Sequence, residues 1–170
     1  MSIRPLQPDD EVLSLLVEAS QDSGLTHNTY LPANLTPSQA HHWVAQQPDT
    51  TWVIYYDGEA TGIAQLSTSV DIEGVAVPEG ARETETWILE RFRGRGVASD
   101  AWGLVFNEIA TTHPEITHAV GGGWKENSAS NRRLAKDNYQ RVGAVWWGDQ
   151  ETGGWCEVWI RPTHCSPASG

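Results

Sequence analysis

The segment Glu83 to Ala98, ETETWILERFRGRGVA, joins a strand-type stretch to a helix through a glycine-punctuated basic turn, and this junction constrains the fold more than any other feature of the chain. In ETETWILE a period of two puts Glu83, Glu85, Trp87 and Leu89 on one face and Thr84, Thr86, Ile88 and Glu90 on the other, which predicts a β-strand. Beyond the turn, Val97, Ala101, Trp102, Val105 and Ile109 follow a 3.6-residue period as far as Pro114, predicting the longest helix from Val97 to about Thr111. A helix N-terminus thus follows directly on a strand end.

The other elements arrange themselves around that junction. A short β segment at Ile3 to Pro5 precedes a helix in which Val12, Leu15, Leu16 and Ala19 recur at helical spacing, with Asp9 and Asp10 at its start and Gly24 beyond its end. Residues 25–35 lack periodicity and read as a loop that could line a site. Thr36-Pro37-Ser38-Gln39 forms a capping box with proline at the first helical position, opening a second helix to about Gln47. TWVIYY and ATGIAQLSTS flank Asp57-Gly58 as a hairpin, and residues 70–82, with their Pro and Gly, read as a connection. THAVGGGW is a strand loosened by its glycines, and Asn127 or Ser128 caps a helix through about Asp137. Strands near Val142–Trp147 and Cys156–Arg161 complete the order β, α, α, β, β, β, α, β, α, β, β, an α/β fold with a mixed sheet and helices on its faces.

At 170 residues the chain suits one domain, expected here over 1–163, with 164–170 as a frayed tail. No apolar run reaches the ~20 residues that span a bilayer, and the N-terminus lacks the apolar core of a signal peptide. Two cysteines, Cys156 and Cys165, without CxxC or clustered histidines, give neither a disulfide framework nor a zinc or other metal site, and imply free thiols in the cytoplasm. A net charge of −11 disfavours nucleic acid and anionic lipid as partners. Its distribution is uneven: residues 1–90 hold 14 acids against Arg4 and Arg82, whereas residues 91–170 hold 8 acids against 9 bases. An anionic ligand therefore suits the second half and a cationic one the first, although a generally acidic surface would give the same count.

Gly94 and Gly96 in RFRGRGVA let backbone N–H groups approach oxygen atoms at a helix N-terminus, where the helix dipole adds positive charge, and Arg91, Arg93 and Arg95 can add charge-assisted bonds. Such a turn is a phosphate cradle. It lacks the GxxxxGK of a P-loop, and no third glycine follows Gly94 and Gly96 at the spacing of a dinucleotide fingerprint. Coenzyme A remains, and here the chain resembles the GNAT superfamily of acyl-CoA-dependent N-acyltransferases, whose pyrophosphate loop (Gln or Arg, two residues, Gly, one residue, Gly or Ala) is matched by Arg91, Gly94 and Gly96. The ribosomal-protein and small-molecule acetyltransferase type also carries Asn-x-x-Ser-x-Arg followed by Lys-x-Gly-Phe. Asn127, Ser130, Arg132, Lys136, Asn138 and Tyr139 stand at those spacings, with Asn and Tyr replacing Gly and Phe.

The resemblance implies a mostly antiparallel sheet of about seven strands flanked by about four helices, with the fourth and fifth strands splayed around pantetheine. Acetyl-CoA would be the cosubstrate. Trp87, Ile88 and Leu89 would supply the strand edge. The loop amides from Arg91 through Phe92, Arg93, Gly94, Arg95, Gly96 and Val97 to Ala98 would hold pyrophosphate, with Asn127 and Ser130 near the pantetheine or adenosine. Asn127 and Ser130 are also ordinary helix-capping residues.

Amine attack on a thioester needs a base and an oxyanion donor. The resemblance implies a backbone N–H near Trp87 or Ile88 as the donor, and Glu83, then Glu85, as base candidates; alternatively both are the solvent-facing start of a strand. The family's usual acid is a tyrosine, but Tyr139 aligns with a packing position. The acceptor side would draw on the N-terminal helices, their loop and the last hairpin, with His27, Tyr30 and Trp155 as candidate contacts. Carboxylates and aromatic rings there would suit a cationic amine. The acceptor is therefore expected to be a small cationic amine; a protein N-terminus or lysine, or no turnover at all, are the alternatives. A homodimer is compatible with nine tryptophans, as is a packed core.

Overall fold

The Asp57-Gly58 turn shows how local sequence sets the sheet. Both residues adopt left-handed φ values, 52° and 85°, as a two-residue hairpin turn of this hand requires. They close β2 (Thr51–Tyr56) onto β3 (Glu59–Leu66) with Tyr56 opposite Glu59. The structure is a computed structural model and describes residues 1–148 and 153–164.

Among the described residues seven strands run in the order β1-β2-β3-β4-β5-β7-β6. Besides β2 and β3 these are β1 (Ser2–Pro5), β4 (Ala81–Ile88), β5 (His118–Trp124), β6 (Gln140–Trp147) and β7 (Gly154–Pro162). The β1–β2, β2–β3, β5–β7 and β6–β7 ladders are antiparallel and β4–β5 is parallel, which gives the mixed, mostly antiparallel sheet expected. The parallel ladder runs only from Ala81↔His118 to Thr84↔Gly121, while β4 continues to Ile88 and β5 to Trp124. The helices are α1 (Asp10–Ala19), α2 (Ser23–Asn28), α3 (Pro37–Val44), α4 (Val97–Thr112) and α5 (Ser128–Lys136).

The chain forms two compact units, one of residues 1–66 with 85–105 and the other of residues 67–84 with 106 onward. In the first, α1 buries Val12, Leu15, Leu16 and Ala19, the four residues its periodicity selects, and β2 and β3 bury Trp52, Ile54, Ile63 and Leu66. Burial of each of these Val, Leu and Ile side chains stabilises the fold by roughly 1.5–3 kcal/mol. In the second, Ala81, Val120, Val158 and Ile160 form a core overlaid by Val70, Ile72, Val75, Val77 and Val145. Burial of Val158 and Ile160 puts Trp155 and Trp159 on the opposite, less buried face of β7.

Three expectations need correction. The described residues hold five α-helices, in keeping with the about four expected, but the stretch read as a loop from residue 25 contains most of α2. Its signal is Asp22, whose carboxylate accepts from the Leu25 N–H at 3.0 Å and so caps a helix with a single buried apolar residue, Leu25, too short for periodicity to reveal. Strand β4 begins at Ala81, inside the segment read as a connection, because Ala81 is buried and pairs with His118. The second predicted helix stops at Val44 instead of Gln47, its end tightened by bonds from Gln46 N–H to Trp43 O and Gln47 N–H to Val44 O, both 3.1 Å. The Thr36–Gln39 capping box is present as read. Within the C-terminal tail, residues 165–170, Cys165 among them, lie outside the described residues.

Candidate active site

In the first unit β4 ends at Ile88 and a single 3-10 turn, Glu90–Phe92, leads into the glycine turn. Phe92 anchors that turn: its ring is buried and meets Tyr56 edge-on at 6.1 Å between centroids. Gly94 and Gly96 have φ of 75° and 82°. A Cβ at either would meet nothing within 4 Å, so glycine is required here by the backbone's left-handed turn rather than by crowding. Helix α4 starts at the next residue, with its first intrahelical bond from Asp100 N–H to Gly96 O at 3.1 Å. The other four helices are capped by side chains, those of Asp9, Asp22, Thr36 and Asn127. In front of α4 stands Gly96, which has no side chain to accept from the first-turn amides of a 16-residue helix.

The three arginines of this turn behave differently. Arg91 pairs with Glu18 of α1 and, at 2.5 Å, with Glu59 of β3, and these carboxylates push its guanidinium above its ordinary range, Glu59 contributing most. Arg93 donates from Nε to Ile88 O at 2.8 Å and from its terminal nitrogen to Asp22 Oδ2 at 2.7 Å. Arg95 makes no ion pair among the described residues and lies over the Phe92 ring at 5.8 Å.

The two faces of β4 are occupied as its period predicts. Thr86 accepts from the Trp102 indole N–H of α4, whereas Glu85, on the other face, accepts from the Tyr30 backbone N–H at 2.8 Å. Trp87, Ile88 and Leu89 are buried. Close packing presses on this stretch from β3: a Cβ at Gly62 would lie 2.2 Å from the Trp87 carbonyl oxygen. Tyr30 is 59% exposed, and His27 is exposed in the last turn of α2.

The second unit carries the remaining candidates. The half-buried Glu83 is tied to Ser67 through its backbone, its N–H donating to Ser67 Oγ at 3.0 Å and its carbonyl accepting from Ser67 N–H at 2.9 Å. The Cys156 thiol is pushed up by burial first and then by the charges of Glu126 and Glu83, so it is a poor nucleophile. Asn127 caps α5 by accepting from Ser130 N–H at 3.1 Å, the structural role open to both residues from the sequence. Trp146 and Trp155 meet edge-on at 5.8 Å, and both are about half exposed. Tyr139 is buried, its hydroxyl without a hydrogen-bond partner among the described residues; burial pushes its phenol up to about 12, and Arg161 lies 5.7 Å from its ring. This is the packing position expected. Asn138 before it adopts φ 64°, the left-handed helix end for which asparagine substitutes for glycine.

A protein-family model described as an acetyltransferase (GNAT) domain matches residues 1–140. The chain belongs to the GNAT acetyltransferase family. No curated protein matches it at the level of sequence. Among solved structures, an acetyltransferase of the GNAT family from Bacillus anthracis superposes with a TM-score of 0.73 at 14% identity, over 95% of this chain and 93% of the other. RimL, a ribosomal alpha-N-protein acetyltransferase in complex with coenzyme A, gives 0.74 at 16% identity over 94% and 92%. An aminoglycoside acetyltransferase in complex with coenzyme A gives 0.70 at 18% identity over 95% and 94%.

As a GNAT acetyltransferase, the protein is an acyl-CoA-dependent N-acyltransferase. In the first unit this GNAT chain brings together Tyr30, Glu85, Trp87, Ile88 and the turn from Arg91 to Ala98. Glu83, Asn127, Ser130 and Trp155 belong to the second unit. Sequence reading missed Glu18, Asp22 and Glu59, the carboxylates that hold Arg91 and Arg93. Of these only Asp22 left a local trace, as a capping residue type three positions before Leu25.

Proposed function

We propose that the protein transfers an acetyl group from acetyl-CoA to the primary amine of a small cationic molecule, by direct attack in a ternary complex, within one cytoplasmic N-acetyltransferase domain spanning residues 1–163. The observation that carries this reading is the left-handed Gly94–Gly96 turn that sets a glycine directly before α4, which suits a diphosphate bound through backbone N–H groups. Acetyl-CoA supplies the acyl group as a thioester. The amides from Arg91 to Ala98 bind its diphosphate, with the Arg95 side chain available to it. The backbone of Trp87, Ile88 and Leu89 orients the thioester arm, and the N–H of Trp87 or Ile88 stabilises the oxyanion. Asn127 and Ser130 contact the arm or the adenosine. No protein acid is needed for the leaving group, because an alkyl thiol with a pKa of about 8.5 departs readily as thiolate.

Glu83 or Glu85 takes the proton from the incoming ammonium. Glu85 accepts from the Tyr30 backbone N–H; the exposed Tyr30 and His27 would contact the acceptor in this unit, and Trp155 is a separate candidate contact. A cationic acceptor is supported by the 14 acids of residues 1–90.

The test is chromatographic quantification of coenzyme A after incubation with acetyl-CoA and either polyamines, aminoglycosides and basic amino acids, or short basic peptides. Release above the amine-free control with the small amines supports the reading. Release with peptides alone would move the acceptor to a protein N-terminus or lysine. No release with any amine, despite binding of acetyl-CoA, would indicate a module without turnover.

A further inference from the structure

We infer that the Arg93 side chain serves the acceptor wall rather than the diphosphate: with Asp22 it pins the segment of residues 22–30 to the end of β4, as a positioning residue for the acceptor. This rests on the acetyl-transfer reading above and assigns a role within that site. The segment is held at two points. At its start, Asp22 caps α2 through Leu25 N–H at 3.0 Å while its other oxygen takes Arg93 at 2.7 Å. At its end, the Tyr30 N–H donates to Glu85 at 2.8 Å. Both anchors come from one stretch of chain: Glu85 lies within β4, and Arg93 reaches back to the carbonyl of Ile88, the last residue of that strand. Trp87 lies between them, and the exposed His27 and Tyr30 lie on the pinned segment.

A phosphate-binding arginine would be expected to have its guanidinium fork available. Arg93 instead commits two of its nitrogens to a main-chain carbonyl and a carboxylate that is only 26% exposed. The Asp22 carboxyl resists the burial that would raise its pKa, and the Leu25 amide and Arg93 together hold it below its ordinary range. Arg95 makes no such commitment among the described residues, so the turn has an arginine for the anion and a separate one for the wall.

Arg93→Gln and Asp22→Asn test the assignment with coenzyme A itself as probe. Asparagine caps helices as well as aspartate does, so Asp22→Asn removes the ion pair and keeps α2. Hydrogen exchange of the amides of residues 23–30 should accelerate by about fivefold in either variant, the upper end for a partly exposed ion pair, and no further in the double variant. Calorimetric affinity for coenzyme A should stay within about twofold of the parent. With whichever of spermidine, kanamycin or a basic tripeptide turns over, KM for the amine should rise and KM for acetyl-CoA should not.

A loss of coenzyme A affinity of tenfold or more in Arg93→Gln, with Asp22→Asn unaffected, would make Arg93 a phosphate ligand and overturn the inference. Faster exchange of residues 23–30 in the parent on adding coenzyme A would also overturn it, by showing that Arg93 leaves Asp22 for the ligand. Failure of the acetyl-transfer reading would look different, as no coenzyme A binding or no turnover by the parent.

Discussion

Replacing Gly96 by alanine isolates the contribution of backbone conformation to the diphosphate cradle. The added methyl meets nothing within 4 Å, so its cost is the left-handed φ of 82° alone, about 1–2 kcal/mol for an alanine. Gly58 provides the control, because its φ is 85° and its Cβ position is equally open, but it lies in the β2–β3 hairpin turn. The hairpin cannot relax without losing the register that pairs Tyr56 with Glu59, so Gly58→Ala must show the strain as lost stability. At about 2–4 °C per kcal/mol for a chain of this size, its melting temperature should fall by roughly 2–8 °C. The turn before α4 is closed by no ladder. Gly96→Ala can therefore relax in the free protein and must recover the strained conformation on binding, which weakens coenzyme A by about 5–30-fold at 1.4 kcal/mol per decade. Calorimetric titration of both variants, alongside thermal unfolding, separates the two outcomes. A Gly96→Ala protein that binds within twofold of the parent would refute the cradle as the site of diphosphate recognition.

Gly62→Ala should be far more damaging, because its methyl would lie 2.2 Å from the Trp87 carbonyl, an atom of the main chain that cannot rotate aside. A loss of about 3 kcal/mol or more is expected in urea unfolding, the upper end for overpacking. For the base, whichever of Glu83→Gln and Glu85→Gln abolishes the acidic limb of the kcat/KM–pH profile identifies it, with a loss of about 10²–10⁴-fold in rate. An unchanged profile in both variants would remove the two carboxylates from proton transfer.

The sequence was most informative where a local rule has few solutions. The Thr36–Gln39 box, the Asp57-Gly58 hairpin and the α1 stripe of Val12, Leu15, Leu16 and Ala19 were all legible, because each depends on residues within one or two turns of chain. The glycine turn was legible for the same reason, and with it the family. The fates of its arginines were not. Arg91 is held by residues 32 and 73 positions away, and Arg93 by one 71 away, so the turn shows three equivalent cations in sequence and three different ones in space. Helix α2 escaped because one buried leucine sets no period, and the start of β4 escaped because Pro78 and Gly80 mask the strand that follows.

The edge-on contact of Trp146 and Trp155 across the β6–β7 ladder has an optical consequence. Two indoles at that separation and near a right angle couple their excited states, giving the folded hairpin a far-ultraviolet circular-dichroism couplet that neither ring produces alone. The signal arises from directly opposed residues on two strands, so it follows the closure of this one hairpin while the bulk of the spectrum follows the rest of the fold.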